Sequence, residues 1–424
     1  MPRRVRGFLT QQKVRTVVVT ILGGSAQSTP VLVDWLTQRN RAANFVIRLA
    51  GRDKQRLSAV SRACRVLGAQ GCVVIQEFGA EAWRESLAKA DIVLIQVRIG
   101  GLQARARDEW FPLKYDIPGD EGLGPGGVSA AIRTWPRLRE LLVTIKQQAP
   151  GALPLLLTSP AGLLVRLAAL EFPSWPIYGI CELPFTTLQQ LSGAAGVRAS
   201  DVQFSYTGVN HLGWLHNVRT TEEDLVCRYG RRPDGPLSEI ARRWQAVPLK
   251  YLRLHFERQA VVEEQKRAGE HATRSHQLAT LRDECLLAFK AGTAADIRQA
   301  VRRRAADWYT EAIGPLLLQL NGDSTSSRPF FLSAARDDGG ACERAYRLQN
   351  GRFVPLPIEQ PPPPVAELVS AFMQYEEAAA EAIFADCGKK LAAALRIHPW
   401  LQRTEDAELL ATEIREWTNV ELLN

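Results

Sequence analysis

The stretch TVVVTILGG (16–24) constrains the fold more than any other part of the sequence. It is an apolar, β-branched run that stops at paired glycines. That pattern belongs to a strand buried on both faces of a parallel sheet. The following SAQSTPVLVDWLTQRN reads as a turn and a helix, with Ser28 or Thr29 at the N-cap and Pro30 at the first helical position. The alternation then repeats. FVIRLA (45–50), CVVIQEF (72–78) and DIVLIQV (91–97) read as strands. Helices are expected from about Asp53 to Leu67 and over AEAWRESLAKA (80–90). Helix signals fill 127–148, and LPLLLTS (153–159) and IYGIC (177–181) read as two more strands. Strand and helix in alternation require a parallel sheet covered by helices on both faces.

This predicts an α/β fold, a Rossmann-like doubly wound parallel sheet, in which ligands sit at the carboxyl ends of the strands. Beyond about residue 200 the pattern changes. A short β section, VQFSYTGVN (202–210) with LHNVR (215–219), precedes helical segments at 236–291 and 295–320. QPPPPV (360–365) reads as a rigid connector before helical runs at 365–396 and 405–420. The expected organisation is therefore a dinucleotide-binding domain over 16–200 and an α+β, mostly helical domain over 201–424 for substrate binding and oligomerisation. Residues 1–15 are expected to be a disordered basic leader; they lack the apolar core of a secretory signal.

Composition removes other classes. No run of 18 or more apolar residues occurs, so no transmembrane helix is expected. The net charge is +8, but the basic residues are scattered and are not interleaved with aromatics, which argues against a nucleic-acid partner. The seven cysteines form no CxxC pair, as expected of a reducing, cytoplasmic compartment.

Gly23, Gly24 and Ser25 lie between the first strand and first helix, where glycines let the backbone approach a pyrophosphate. A tight structural turn would use the same residues. The second strand ends Leu49-Ala50-Gly51-Arg52-Asp53. Ala50 and Gly51 with Arg52 suit a 2′-phosphate, hence NADP, while Asp53 suits the ribose hydroxyls of NAD if the loop is shifted.

Several segments carry a family resemblance. They are Gly23-Gly24-Ser25 with Thr29-Pro30, ADIVLIQVRIGG (90–101), DEWFPLKYDIPGDEGLGPGG (108–127), TSPAG (158–162), YGICE (178–182), GVNHLGW (208–214), YLR (251–253) and ATR (272–274). In this order they resemble the family 4 glycoside hydrolases, and the 108–127 loop is nearest their 6-phospho-β-glucosidase branch. The resemblance implies NAD and manganese, or another divalent metal, as cofactors. It implies Cys181 and His211 as metal ligands, Tyr251 as base and Glu182 as proton donor. Arg98, Glu121, Ser159, Asn210 and Arg274 fall at substrate-binding positions, the arginines toward a sugar phosphate. The implied reaction is oxidation at C3 of a 6-phospho-glucoside, removal of the C2 proton, elimination, water addition and return of the hydride. The resemblance also implies a homodimer or homotetramer. Five places depart from the family pattern: Ser159 in TSPAG, Glu182 beside Cys181, DEG (120–122), and the altered 304–309 and 333–344 segments. They leave a sugar oxidoreductase, or a binding protein of reduced activity, as the alternative.

Overall fold

The computed structural model describes residues 16–39, 44–69, 73–231, 235–322, 328–336 and 340–422. The expected leader at 1–15 lies outside them. The first half alternates strand and helix: β1 (Val17–Leu22), α1 (Thr29–Arg39), β2 (Phe45–Ala50), α2 (Lys54–Gly68), β3 (Val73–Phe78), β4 (Ile92–Ile95), α3 (Gly101–Trp110), α4 (Pro125–Gln148), β5 (Leu153–Leu156), α5 (Ala161–Glu171), β6 (Tyr178–Cys181) and α6 (Leu183–Ala194), with α3, α5 and α6 beyond the helices read from the sequence. The second half contains β7 (Gln203–Val209), β8 (Leu212–Arg219), α7 (Leu225–Gly230), α8 (Pro236–Trp244), β9 (Ala246–Pro248), α9 (Arg253–Phe256), α10 (Arg258–Ala268), α11 (Arg274–Ala291), α12 (Ala294–Arg302) and α13 (Gly314–Leu320). It ends with β10 (Phe330–Ala335), β11 (Ala341–Gln349), β12 (Arg352–Pro355), α14 (Pro363–Phe384), α15 (Gly388–Arg396) and α16 (Asp406–Leu422).

One sheet runs through both halves, in the order β3-β2-β1-β4-β5-β6-β10-β11-β7-β8-β9, with β12 on β11. The pairs from β3 to β6 are parallel. β10 joins β6 antiparallel, aligning Phe331 with Cys181. The order reverses between β1 and β4, which opens a crevice at their carboxyl ends. Helices cover both faces. Trp135, Leu138, Leu142 and Phe372 pack on one side, and Leu32, Leu36, Leu57 and Ile313 on the other.

Several elements differ from expectation. AEAWRESLAKA forms only a 3-10 turn at Trp83–Leu87. The carbonyls a helix would use there are taken: Arg48 donates to Ser86 O at 2.9 Å and to Ala88 O, and Thr20 also donates to Ser86 O. Within the expected helical stretch 236–291, β9 pairs antiparallel with β8. The strands β10 to β12 went unread. No described helix is long and apolar enough to cross a membrane.

Candidate active site

A cavity of about 1420 Å³ lies at the carboxyl ends of β1, β2, β4, β5 and β6. Its wall includes every candidate residue named from the sequence except Gly24. At one end is the glycine-rich turn. Gly23 has φ +89°, and a Cβ there would stand 2.8 Å from Gln96 O. Gln96 Nε2 holds the turn from the other side, donating to Gly23 O and Thr29 Oγ1 at 3.1 Å each. Tyr309 in turn donates its hydroxyl to Gln96. Gly24 serves packing: a Cβ on it would meet Leu49 Cα at 2.7 Å. Asp53 is the N-cap of α2, accepting from Arg56 N at 3.0 Å. Arg52 is exposed on the same wall.

At the other end, the β7–β8 hairpin has a two-residue turn, Asn210-His211, because Val209 pairs with Leu212. His211 takes φ +70° there, an uncommon conformation outside glycine. Its ring stacks flat on Tyr251, centroids 4.4 Å apart and planes 5° from parallel. Its Nδ1 is buried with no hydrogen-bond partner among the described residues. Gly122 sits against that atom; a Cβ on it would stand 3.1 Å away. Cys181, at the end of β6, is buried, and burial together with Glu343 and Glu182 raises its thiol. The Asn210 side chain lies beside that thiol and opposes the rise.

Asn210 was expected to hold a sugar hydroxyl. It lines the cavity, but its amide donates to Glu343 Oε1 at 2.9 Å. Glu343, which the sequence reading missed, also accepts from Tyr206 at 2.5 Å. Burial pushes Glu343 up to about 7 against those two hydrogen bonds. Glu182 begins α6, and burial raises its carboxyl, opposed by His211 and Lys250. Tyr251 is raised by burial, with Asp120 and Glu121 adding to the effect and Arg105 opposing it.

The phosphate-binding candidates gather around Glu121. Arg98 pairs with it at 2.5 Å and Arg105 at 2.8 Å. Burial raises the Glu121 carboxyl, but the two guanidiniums overcome this and hold it at about 2. Ser159 Oγ reaches Glu121 O at 3.4 Å. Arg274 lines the same wall and donates to Gln277 Oε1 at 3.0 Å. Arg304 completes the cluster. Burial, with Arg274, Arg105 and Arg98 nearby, lowers it to about 10, and its Nε is buried without a partner. Arg105 and Arg304 were not singled out from sequence. Arg105 had a readable signal, since it lies one helical turn into the segment that follows β4.

Residues 17–197 match the family described as family 4 glycosyl hydrolase. The chain is 25% identical to a probable 6-phospho-beta-glucosidase of Bacillus subtilis, over 94% of this chain and 95% of that one. It is 24% identical to the 6-phospho-beta-glucosidase BglT of Thermotoga maritima, over 94% and 97%. A solved structure of the 6-phospho-beta glucosidase from Thermotoga maritima, with NAD and glucose-6-phosphate, superposes with TM-score 0.83 at 23% identity, covering 96% and 99% of the two chains. A 6-phospho-alpha-glucosidase from gut microorganisms, in complex with NAD and Mn2+, superposes with TM-score 0.80 at 18% identity, covering 96% and 99%. The matched residues carry β1 to β6, the chain shares the fold of those structures, and the hairpin, Tyr251, Arg274 and Arg304 come from outside the match.

The residues fit both absent groups. A nicotinamide dinucleotide suits the glycine turn at the switch point of the sheet. A divalent ion suits a thiol and an imidazole whose Nδ1 is orphaned. Among the described residues no group of three or more His, Cys, Asp or Glu is arranged to hold a metal, so such a site would rest on this pair.

Proposed function

We propose that this chain is a 6-phospho-glycosidase that uses a nicotinamide dinucleotide and a divalent metal, acting on 6-phospho-β-glucosides. One observation carries the reading. A single cavity brings together the glycine turn, Cys181 with His211, the stacked Tyr251, and the arginines 98, 105, 274 and 304, of which Arg98 and Arg105 pair with Glu121 and Arg105 also with Glu109. That excess of positive charge suits a phosphorylated sugar. The relatives named for 6-phospho-glucosidase activity, and their structures with NAD, Mn2+ and glucose-6-phosphate, support the same assignment.

When bound, the dinucleotide takes and returns a hydride at C3 and the metal polarises the sugar oxygens. Cys181 and His211 would hold the metal. Tyr251 would accept the C2 proton. As a buried phenol it needs cationic help to ionise, and Arg105 is the neighbour placed to give it. Glu182, whose carboxyl burial raises, would donate its proton to the leaving oxygen. The arginine cluster would hold the 6-phosphate, which orients the ring over Tyr251. Residues 16–200 would supply the dinucleotide walls and 201–424 the hairpin, the base and two arginines.

A cytoplasmic location fits the six free described cysteines. Assembly as a homodimer or homotetramer is proposed from the family alone, and light scattering tests it. The deciding experiment is hydrolysis of an aryl 6-phospho-β-glucoside with manganese, a thiol reductant, and NAD and NADP both supplied. Turnover that needs the metal and a dinucleotide, and that vanishes in Cys181→Ser, is expected. No aglycone release under any condition would overturn the reading. Reduced dinucleotide without aglycone would make the chain an oxidoreductase instead.

A further inference from the structure

We propose that the dinucleotide end of the cavity is built to hold an adenosine 2′-phosphate, so that the chain takes NADP in preference to NAD, with Arg52 as the selecting residue. This rests on the nucleotide reading above and deepens it.

In sheets of this kind the end of the second strand faces the adenosine ribose, and a carboxylate there binds its hydroxyls. Here β2 ends at Ala50, and Gly51 follows. Neither carries a carboxylate. The strand end also lies directly against the glycine-rich turn: a Cβ on Gly51 would stand 3.3 Å from Ser25 Cβ and Oγ. The position that would hold the ribose acid is therefore filled by two small residues, which leave room for a bulkier group.

The first carboxylate in the segment is committed elsewhere. Asp53 Oδ1 caps α2 through Arg56 N at 3.0 Å, and Oδ2 pairs with Arg56 Nε at 2.8 Å. Turning it toward a ribose would uncap the helix, at a cost of about 1 kcal/mol. Arg52 is in the opposite state. It lines the cavity, is exposed, and has no hydrogen-bond or ion-pair partner among the described residues. Its guanidinium offers donors and no acceptor. A ribose hydroxyl gains little from that, whereas a phosphate dianion can take a bidentate pair. Arg56 lines the same wall and adds positive charge, shared with Asp53.

The test measures binding without turnover. Wild-type protein is titrated calorimetrically with NADP+ and NAD+, and with adenosine 2′,5′-bisphosphate and 5′-AMP, which differ only in the 2′-phosphate. NADP+ should bind tighter than NAD+ by about tenfold or more, and the bisphosphate should exceed 5′-AMP likewise. Arg52→Ala should erase the difference and leave NAD+ affinity unchanged. Arg52→Glu should favour NAD+. Arg52 is exposed, so these variants keep the fold, which circular dichroism checks. NAD+ bound as tightly as NADP+ by the wild type, or a preference that survives Arg52→Ala, would overturn the inference and leave the proposed function standing. Binding of neither dinucleotide would overturn both.

Discussion

Tyr251 shows how sequence and structure divide the work at the level of single residues. Its motif marked it as the base, and the cavity and the stacking on His211 place it beside the proposed metal pair. What the sequence could not supply was its environment. Burial and the carboxylates Asp120 and Glu121 raise the phenol, with Arg105 opposing them, and the Lys250 ammonium lies 5.9 Å from the ring centroid. Arg304 and Glu343 act on the site through contacts made across the fold, so no local motif announced them. Asp53 has a second use that its motif did not announce. A short acid just before a helix has a nearby competing use as an N-cap, and the structure gives it that use. The base role predicts that Tyr251→Phe loses about 10² to 10⁴ in kcat while dinucleotide affinity is unchanged. Single-turnover kinetics with calorimetric binding checks this. The ring and its stacking survive the substitution, so activity near wild type would mean that another group takes the C2 proton.

Elements with a strong period were legible, and those set by tertiary pairing were not. β2 was read to the residue, because FVIRLA is an apolar run between two breaks in the chain pattern. The turn at Trp83–Leu87 was overread because helix propensity is a weak prior, and Arg48 and Thr20 capture its carbonyls from neighbouring strands. β9 has three residues and exists through its pairing with β8, which no local period reveals. The glycine turn shows the other side of this. Gly24 was assigned to the pyrophosphate, yet its missing Cβ lets α1 and its loop approach β2. Gly24→Ala would put a methyl 2.7 Å from Leu49 Cα and 2.9 Å from Ala50 N, both backbone atoms that cannot swing aside. The expected loss is about 1–3 kcal/mol of stability, the range for overpacking. Urea unfolding measures it, and an unchanged midpoint would show that the loop relaxes without cost.

Across the whole molecule, the sheet does not stop where the sequence pattern changes near residue 200. β10 pairs with β6, and β11 continues toward the β7–β8 hairpin, so the hairpin that carries Asn210 and His211 is on the same sheet as the glycine turn. That junction contains two buried acids. Glu343 on β11 faces Asn210, and Glu376 on α14 lies close to α5, with Gly162 Cβ space 3.4 Å from its carboxylate oxygens. Burial pushes Glu376 up to about 8, with Arg166 opposing and Glu343 and Glu377 adding. A carboxyl whose folded value is raised binds its proton more tightly when folded. Its contribution is therefore full below the unfolded value of 4.5 and is lost as pH rises through about 8. The shift corresponds to roughly 4–5 kcal/mol. The buried histidines 216, 255 and 398, lowered to about 4 by burial, cost stability on the other side, as pH falls from about 6.5. Thermal melts of wild type and Glu376→Gln at pH 5.5 to 9 separate the two effects, because the histidines are common to both proteins. Gln stays neutral at every pH. The variant's advantage over the wild type should be small at pH 5.5, grow up to about pH 8 and level off by pH 9, with a remaining slope common to both from Glu343, itself raised to about 7. Parallel curves across that range would mean that Glu376 stays ionised in the folded protein, paired with Arg166.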